Sequence, residues 1–305
     1  MQRGVSSQAV QPFVAELQGM AVRSHAQMGA ENFPVALRLL PAAPRAALTR
    51  IYAYARFVDD VGDETRGDRL AMLDEIEADV RGLWSGRAVL PPVLGLSGLT
   101  GTIPQQALLD LIEANRVDQK VHSYETFDDL LGYCALSAAP VGRLVLAIAG
   151  VDDLRAIRRS DDVCNALQVL EHCQDVAEDA AADRVYLPAA DLRAAGVSTA
   201  DLTAPQASDG LRSVVATQVD RSAELLAAGR PLVRSLHGWA RVAVAGFVAG
   251  GLATVSAIRK ADHDTLASAV KPGKATTARH ALSLACPPIA LSRDRESSFG
   301  GGQRE

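Results

Sequence analysis

Aromatic residues make up only 4% of the 305-residue chain, and alanine and aliphatic side chains carry most of its 48% hydrophobic content. Sheets draw on aromatic and β-branched residues, so this shortage favours packed helices. The four cysteines, Cys134, Cys164, Cys173 and Cys286, show no C-x-x-C or Cys/His finger spacing. That excludes a recognisable zinc finger or redox dithiol and suits free thiols in a reducing compartment. A dense Lys/Arg block is missing too, and the formal charge is −5, so no nucleic-acid partner is expected. An anionic substrate would need metal ions to offset the chain's own charge. No Glu-x-x-His occurs to support a di-iron bundle, and no G-x-S-x-G elbow to support a hydrolase.

The first dozen residues lack a basic segment followed by an apolar run and a cleavage site, which sets the expectation of a cytoplasmic protein. One apolar run without charge, residues 242–258 between Arg241 and Arg259, falls short of the ~20 apolar residues of a spanning helix. Glycines and hydroxyls dilute it further, which predicts a buried central helix. Its Gly246-x-x-x-Gly250 spacing could let a neighbouring helix or an apolar ligand come close.

Apolar residues recur at three-to-four spacing over 33–40, 46–58, 70–83, 107–115, 127–138, 141–149, 157–182, 211–228, 231–260 and 265–284. Residues 86–104 and 187–205 concentrate Pro, Gly and polar residues, which predicts loops. The ends, 1–12 and 287–305, are poor in core formers and are expected to be disordered tails. Between them, residues 13–286 are expected to fold as one all-α domain, a helical bundle.

Two acidic segments stand out, Asp59-Asp60-Val61-Gly62-Asp63 and Asp175-Val176-Ala177-Glu178-Asp179. On a helix, Tyr52, Arg56, Asp59 and Asp63 share one face, as do Gln168, Glu171, Asp175 and Asp179. Stacked carboxylates repel one another, so a compensating cation is expected. Mg²⁺ fits, because it takes oxygen ligands and bridges one or two carboxylates to substrate phosphates. Gly62 is expected to loosen the first helix and mark its end. Either cluster alone reads as a solvated helix face. Two of them, each among apolar residues and about 110 residues apart, point to facing walls of one site in a bundle.

With these segments in hand, the chain resembles the squalene and phytoene synthase family, the head-to-head isoprenoid synthases, over residues 24–274. The matching blocks are Glu31-Asn32-Phe33-Pro34 with Leu39-Leu40-Pro41, Tyr52-x-x-x-Arg56-x-x-Asp59-Asp60-x-x-Asp63, and Tyr133-Cys134 followed by Val141-Gly142. The fourth is Gln168 leading to Asp175-x-x-Glu178-Asp179 and Arg184-Val185-Tyr186-Leu187-Pro188.

The resemblance implies an isoprenoid-synthase bundle with a central cavity. Asp59, Asp63, Asp175 and Asp179 would hold Mg²⁺ on its opposite walls, and Arg56 would pair with the diphosphate. Tyr52, Tyr133, Arg184 and Tyr186 fall at family positions near the reacting groups. Gln168 matches a cavity-lining amide, and Phe33 the N-terminal wall of the pocket. Asn32 and Glu171 also fall at substrate-facing positions, but there many members carry serine and asparagine respectively, and Gln174 stands where many have arginine.

The blocks look most like the hydroxysqualene synthase branch of bacterial hopanoid pathways, which ionises presqualene diphosphate and lets water quench the cation. Two alternatives stay open. One is condensation of two prenyl diphosphates such as farnesyl diphosphate; the other is a non-catalytic helical protein of the same fold. Expected partners are the isoprenoid diphosphate, other squalene-pathway enzymes and, transiently, the inner face of the cytoplasmic membrane.

Overall fold

The computed structural model describes Leu17 and residues 40–65 and 67–285. The expectations placed on 1–12, 287–305, Asn32, Phe33 and the 33–39 part of the first periodic segment lie outside the described residues.

Thirteen α-helices follow one another in the described residues: α1 (Ala42–Glu64), α2 (Arg69–Leu83), α3 (Pro91–Leu94), α4 (Gln105–Asp118), α5 (Phe127–Ser137), α6 (Ala139–Ile148) and α7 (Leu154–Gln174). After them come α8 (Val176–Ala181), α9 (Ala189–Ala194), α10 (Asp209–Gly229), α11 (Leu232–Ser235), α12 (Gly238–Lys260) and α13 (Lys274–Ala285). Their starts follow local chemistry: Asp68, Asp153 and Ser208 accept from backbone N–H groups of the first turns of α2, α7 and α10, and Thr126 and Asp129 form a capping box at α5. Pro140, with no N–H to return to Leu136, separates α5 from α6. Among the described residues the only β pairing is a single parallel bridge, Ser123 to Val185.

Two apolar clusters make up the core. One is gathered by α1, α2 and α4, around Tyr54, Phe57, Met72 and Ile112. The other lies among α5, α7, α10 and α12, around Leu170, Val215, Val248 and Ile258. Tyr54 is fully buried and its hydroxyl donates to the Leu108 carbonyl at 2.9 Å, a bond contributing about 1 kcal/mol that ties α1 to α4. The two cavities described below lie where α1 faces α7.

Several sequence expectations shift. Residues 86–104 are not simply a loop, for they hold α3 and a 3₁₀ turn whose Leu90, Val93 and Leu96 are buried. The last periodic segment begins as a helix only at Lys274, because Pro272 disfavours helical geometry at Lys271 and Gly273 follows it. Nor does Gly62 end its helix. A Cβ there would overlap the Asn115 carboxamide oxygen and come 2.9 Å from its Cγ, so Gly62 permits the close approach of α4. Residues 242–258 do form one long helix with buried Val244, Val248 and Val255. Nothing lies within 4 Å of where a Cβ would stand on Gly246 or Gly250, and the close neighbours belong to Gly251, against Leu167 and Leu226. By length and composition Phe127–Ile148 and Gly238–Lys260 could each cross a membrane, yet the first bends at Pro140 and both pack into the bundle.

Candidate active site

The acidic segments occupy the C-terminal ends of α1 and α7–α8. α1 runs on through both Asp59 and Asp63, whereas α7 stops at Gln174 and the chain turns through Asp175 before α8. A polar cavity of about 370 Å³ lies between them, and Arg56, Asp59, Asp63, Gln168, Glu171, Asp175, Asp179, Arg184, Tyr133 and Tyr186 all reach its wall. Tyr52 lines an adjoining apolar cavity of about 480 Å³ with Leu48, Ile51, Val141, Val145, Val163 and Phe247. The two cavities meet at Arg56, Asp59, Ser137, Gln168 and Glu171, which border both. Gly142 allows the apolar cavity's wall to close, since a Cβ there would come 2.6 Å from the Cys164 sulfur. Gln174 does not join the site; its amide donates to the Val270 carbonyl.

The polar cavity is short of positive charge. Eight carboxylates border it, Asp59, Asp60, Asp63, Glu64, Asp118, Glu171, Asp175 and Asp179, against the guanidinium groups of Arg56 and Arg184. Both arginines are already engaged, Arg56 with Asp60 at 2.7 Å and Arg184 with Asp63 at 2.8 Å. Asp59 is open to the cavity but enclosed by protein elsewhere, and this desolvation pushes its carboxyl up to about 6, against the opposing hydrogen bond from Asn115 Nδ2 at 3.0 Å. Glu171 and Asp175 are raised as well, first by desolvation and then by the acidic side chains around them, while His172 opposes.

Behind these groups Tyr133 and Tyr186 join a cluster whose other members, Asp118 and Tyr124, the sequence did not announce. Asp118, on the last turn of α4, accepts from the Tyr133 hydroxyl at 2.6 Å and from the Tyr186 hydroxyl at 3.1 Å. Tyr124, Tyr133 and Tyr186 form a triangle with ring centroids 5.5 to 5.9 Å apart, and His172 stacks on Tyr186 at 3.7 Å. The Ser123–Val185 bridge and the Ala189 N–H to Tyr124 carbonyl bond bring these distant loops together. Burial and the charge of Asp118 hold both Tyr133 and Tyr186 far above the ordinary phenol range, so both are neutral donors. Asn115 and Asp118, three apart and so on one face of α4, were the available signal.

A donor set dominated by carboxylate oxygens, with the His172 imidazole 3.6 Å from Asp179, suits a hard divalent cation such as Mg²⁺. Among the described residues no group of three or more His, Cys, Asp or Glu gathers to hold an ion unaided. That fits a cation completing its shell with phosphate oxygens from a substrate. A polar chamber with excess negative charge, open to an apolar one, can take a molecule with an anionic head and a hydrocarbon body.

Comparison with known proteins agrees with this shape. The family model for squalene/phytoene synthase matches residues 26–278. Hydroxysqualene synthase of Zymomonas mobilis is 34% identical over 81% of this chain and 84% of its own length. Presqualene diphosphate synthase of Rhodopseudomonas palustris is 33% identical over 69% of this chain and 75% of its own. The crystal structure of squalene synthase HpnC from Alicyclobacillus acidocaldarius, 40% identical, superposes with a TM-score of 0.74 over 82% of this chain and 96% of that one. Together with the all-α bundle and its facing acidic walls, these matches establish that the chain belongs to the squalene/phytoene synthase family and is an isoprenoid diphosphate-processing enzyme.

Proposed function

We propose that this enzyme ionises presqualene diphosphate with Mg²⁺ and captures the cation with water, giving hydroxysqualene and diphosphate. The observation that carries this reading is the seam between the two chambers. There Ser137 and Glu171 border both cavities, and the Ser137 hydroxyl is buried without a hydrogen-bond partner. A water molecule at that seam would satisfy the hydroxyl and stand between the hydrocarbon and the diphosphate. Three relatives between 33% and 35% identical bear the name hydroxysqualene synthase, which supports the same reading.

In this proposal Asp59 and Asp63 on one wall and Asp175 and Asp179 on the other hold the metal and the diphosphate head. Bound there, Mg²⁺ supplies positive charge to the departing diphosphate. Asn115 fixes the rotamer of Asp59. Arg56 and Arg184, already seated against Asp60 and Asp63, present their remaining N–H groups to phosphate oxygens. By accepting from the hydroxyls of Tyr133 and Tyr186, Asp118 fixes the two rings, whose faces can stabilise a cation. Tyr52, Val141, Val145 and Phe247 line the chamber for the hydrocarbon and keep bulk water out. Gln168 and Glu171 are the polar groups nearest the water. Substrate contacts by Asn32 and Phe33 complete the proposal, as does a folded catalytic domain over residues 13–286 working in the cytoplasm beside other squalene-pathway enzymes.

Purified protein given presqualene diphosphate and Mg²⁺ should form a C30 alcohol, and none without Mg²⁺. Absence of the alcohol in the presence of Mg²⁺ would sink the proposal. The second reading, condensation of two prenyl diphosphates, is favoured by the similarity to presqualene diphosphate synthase. It predicts a cyclopropyl diphosphate product from farnesyl diphosphate alone.

A further inference from the structure

The strongest feature outside the site lies at the opposite end of α7. Arg155, Arg158 and Arg159 form one face of its first turns, and a Cβ on Gly229 would come 2.7 Å from the Arg159 carbonyl. Gly229 is followed at once by Arg230, and then by α11, which carries Arg234 and packs on both α7 and α12. Arg155, Arg158, Arg230 and Arg234 are exposed and Arg159 is half-buried. None of the five makes an ion pair among the described residues, whereas the arginines at the active site, Arg56 and Arg184, are both paired. The acidic residues on this half of α7 are Asp152, Asp153, Asp161 and Asp162, of which Asp153 is engaged as a helix cap and Asp161 is paired with Arg143. On a chain of net charge −5, an end carrying five unpaired arginines is a strong local reversal of sign. Two large apolar side chains are exposed on the elements that begin here, Leu154 beside Arg155 at 68% and Val242 on the first turns of α12, the helix packed on α11, at 63%.

The position of this end relative to the cavities gives it meaning. Leu232 of α11 and Val163, one turn beyond Arg159, line the apolar chamber. Along α7, Arg155 and Glu171 are sixteen residues apart, about 24 Å of helix, with the apolar chamber between the basic end and the carboxylates. We propose that this end of the bundle docks on an anionic lipid bilayer, with the arginines at the headgroups and Leu154 and Val242 in the interface. Docked so, the apolar chamber sits next to the lipid and the diphosphate chamber faces away from it. Basic residues flanking exposed apolar ones match such a surface. A nucleic acid would use the charge but not the exposed leucine and valine. The proposal deepens the reading of a lipid substrate and rests on it only for why a membrane is useful.

The test is co-sedimentation of the full chain with phosphatidylcholine vesicles containing about one-third phosphatidylglycerol, at low and raised salt. The wild type should bind these vesicles, release them as salt rises, and ignore pure phosphatidylcholine. The double variant Arg158→Gln/Arg234→Gln should bind roughly 25-fold more weakly, at about fivefold per arginine, with an unchanged thermal midpoint and unchanged turnover of detergent-solubilised substrate. Arg87→Gln/Arg193→Gln, with the same charge change elsewhere on the surface, should bind as the wild type does. Equal weakening in both double variants, equal binding to neutral vesicles, or retention on DNA without vesicle binding would each overturn the proposal. Since sedimentation needs no catalysis, arginine-dependent binding alongside a failed product assay would leave docking standing and remove the reaction assignment.

Discussion

Replacing Gly62 with alanine sets two effects of opposite sign against each other. Inside a helix alanine is favoured over glycine by about 1 kcal/mol. The new methyl, however, would overlap the Asn115 carboxamide oxygen and come 2.9 Å from Cγ, so the buried Asn115 must turn. Turning breaks its bond to the Asp59 carboxylate at 3.0 Å and its bond to the Leu111 carbonyl at 3.1 Å. The first is charge-assisted and contributes about 1.5–3 kcal/mol, the second about 1. Net destabilisation of roughly 1.5–3 kcal/mol follows, readable by urea denaturation. Activity should move with it, because the Asn115 bond is the largest influence holding down a carboxyl that desolvation has pushed to about 6. Without it the Asp59 pKa rises further, less carboxylate exists at pH 6 to 7, and the acid limb of the Mg²⁺-dependent rate profile shifts to higher pH. A variant that is more stable than wild type, with an unmoved acid limb, would refute the reasoning.

Mg²⁺ alone should barely change the melting temperature, whereas Mg²⁺ with inorganic diphosphate should raise it by several degrees in differential scanning fluorimetry, because the carboxylates need phosphate oxygens to complete an ion site. Ser137→Ala removes the hydroxyl that would hold the water at the seam, so the alcohol share of the products should fall by chromatography while the melting temperature moves little. Asp118→Asn exchanges a charged acceptor shared by two tyrosines for a neutral one; kcat should fall about tenfold with KM little changed, and a KM effect alone would contradict the positioning role. Asp264→Ala leaves the N–H groups of Ala207, Leu266 and Ala267 without their acceptor and takes one of two carboxylate partners from Arg212, which keeps Asp262, a loss of about 3 kcal/mol in chemical denaturation.

Much of the site was legible because its residues repeat at helical spacing. Asp59 and Asp63 are four apart, as are Asp175 and Asp179, and each pair sits on a periodic apolar segment, so one face could be drawn for each wall. Asp118 escaped the same reading for two reasons. The apolar periodicity of α4 gives out at Asn115, three residues too early, and the partners of Asp118 lie 15 and 68 residues away. No local pattern encodes such a meeting; it depends on loops paired through the single Ser123–Val185 bridge. Gly62 misled for a related reason, since its value lies in a neighbour from another helix. The late start of α13 is set by Pro272 and Gly273, a break that apolar spacing alone passes over. Ser137 gave no signal in the sequence at all, for an unmet hydroxyl is a fact about surroundings.

The way α1 and α7 end has a further consequence. Both helices point their C-terminal ends at the polar chamber, and the last turn of α1 carries no basic residue. Peptide dipoles therefore add roughly half a negative charge from each helix to the carboxylates already there. A bare diphosphate meets a repulsive field at this mouth, while a divalent cation is drawn in. Cation and diphosphate are thus expected to arrive and leave as a neutralised pair, so turnover should depend on enough free Mg²⁺ to accompany each diphosphate through the mouth.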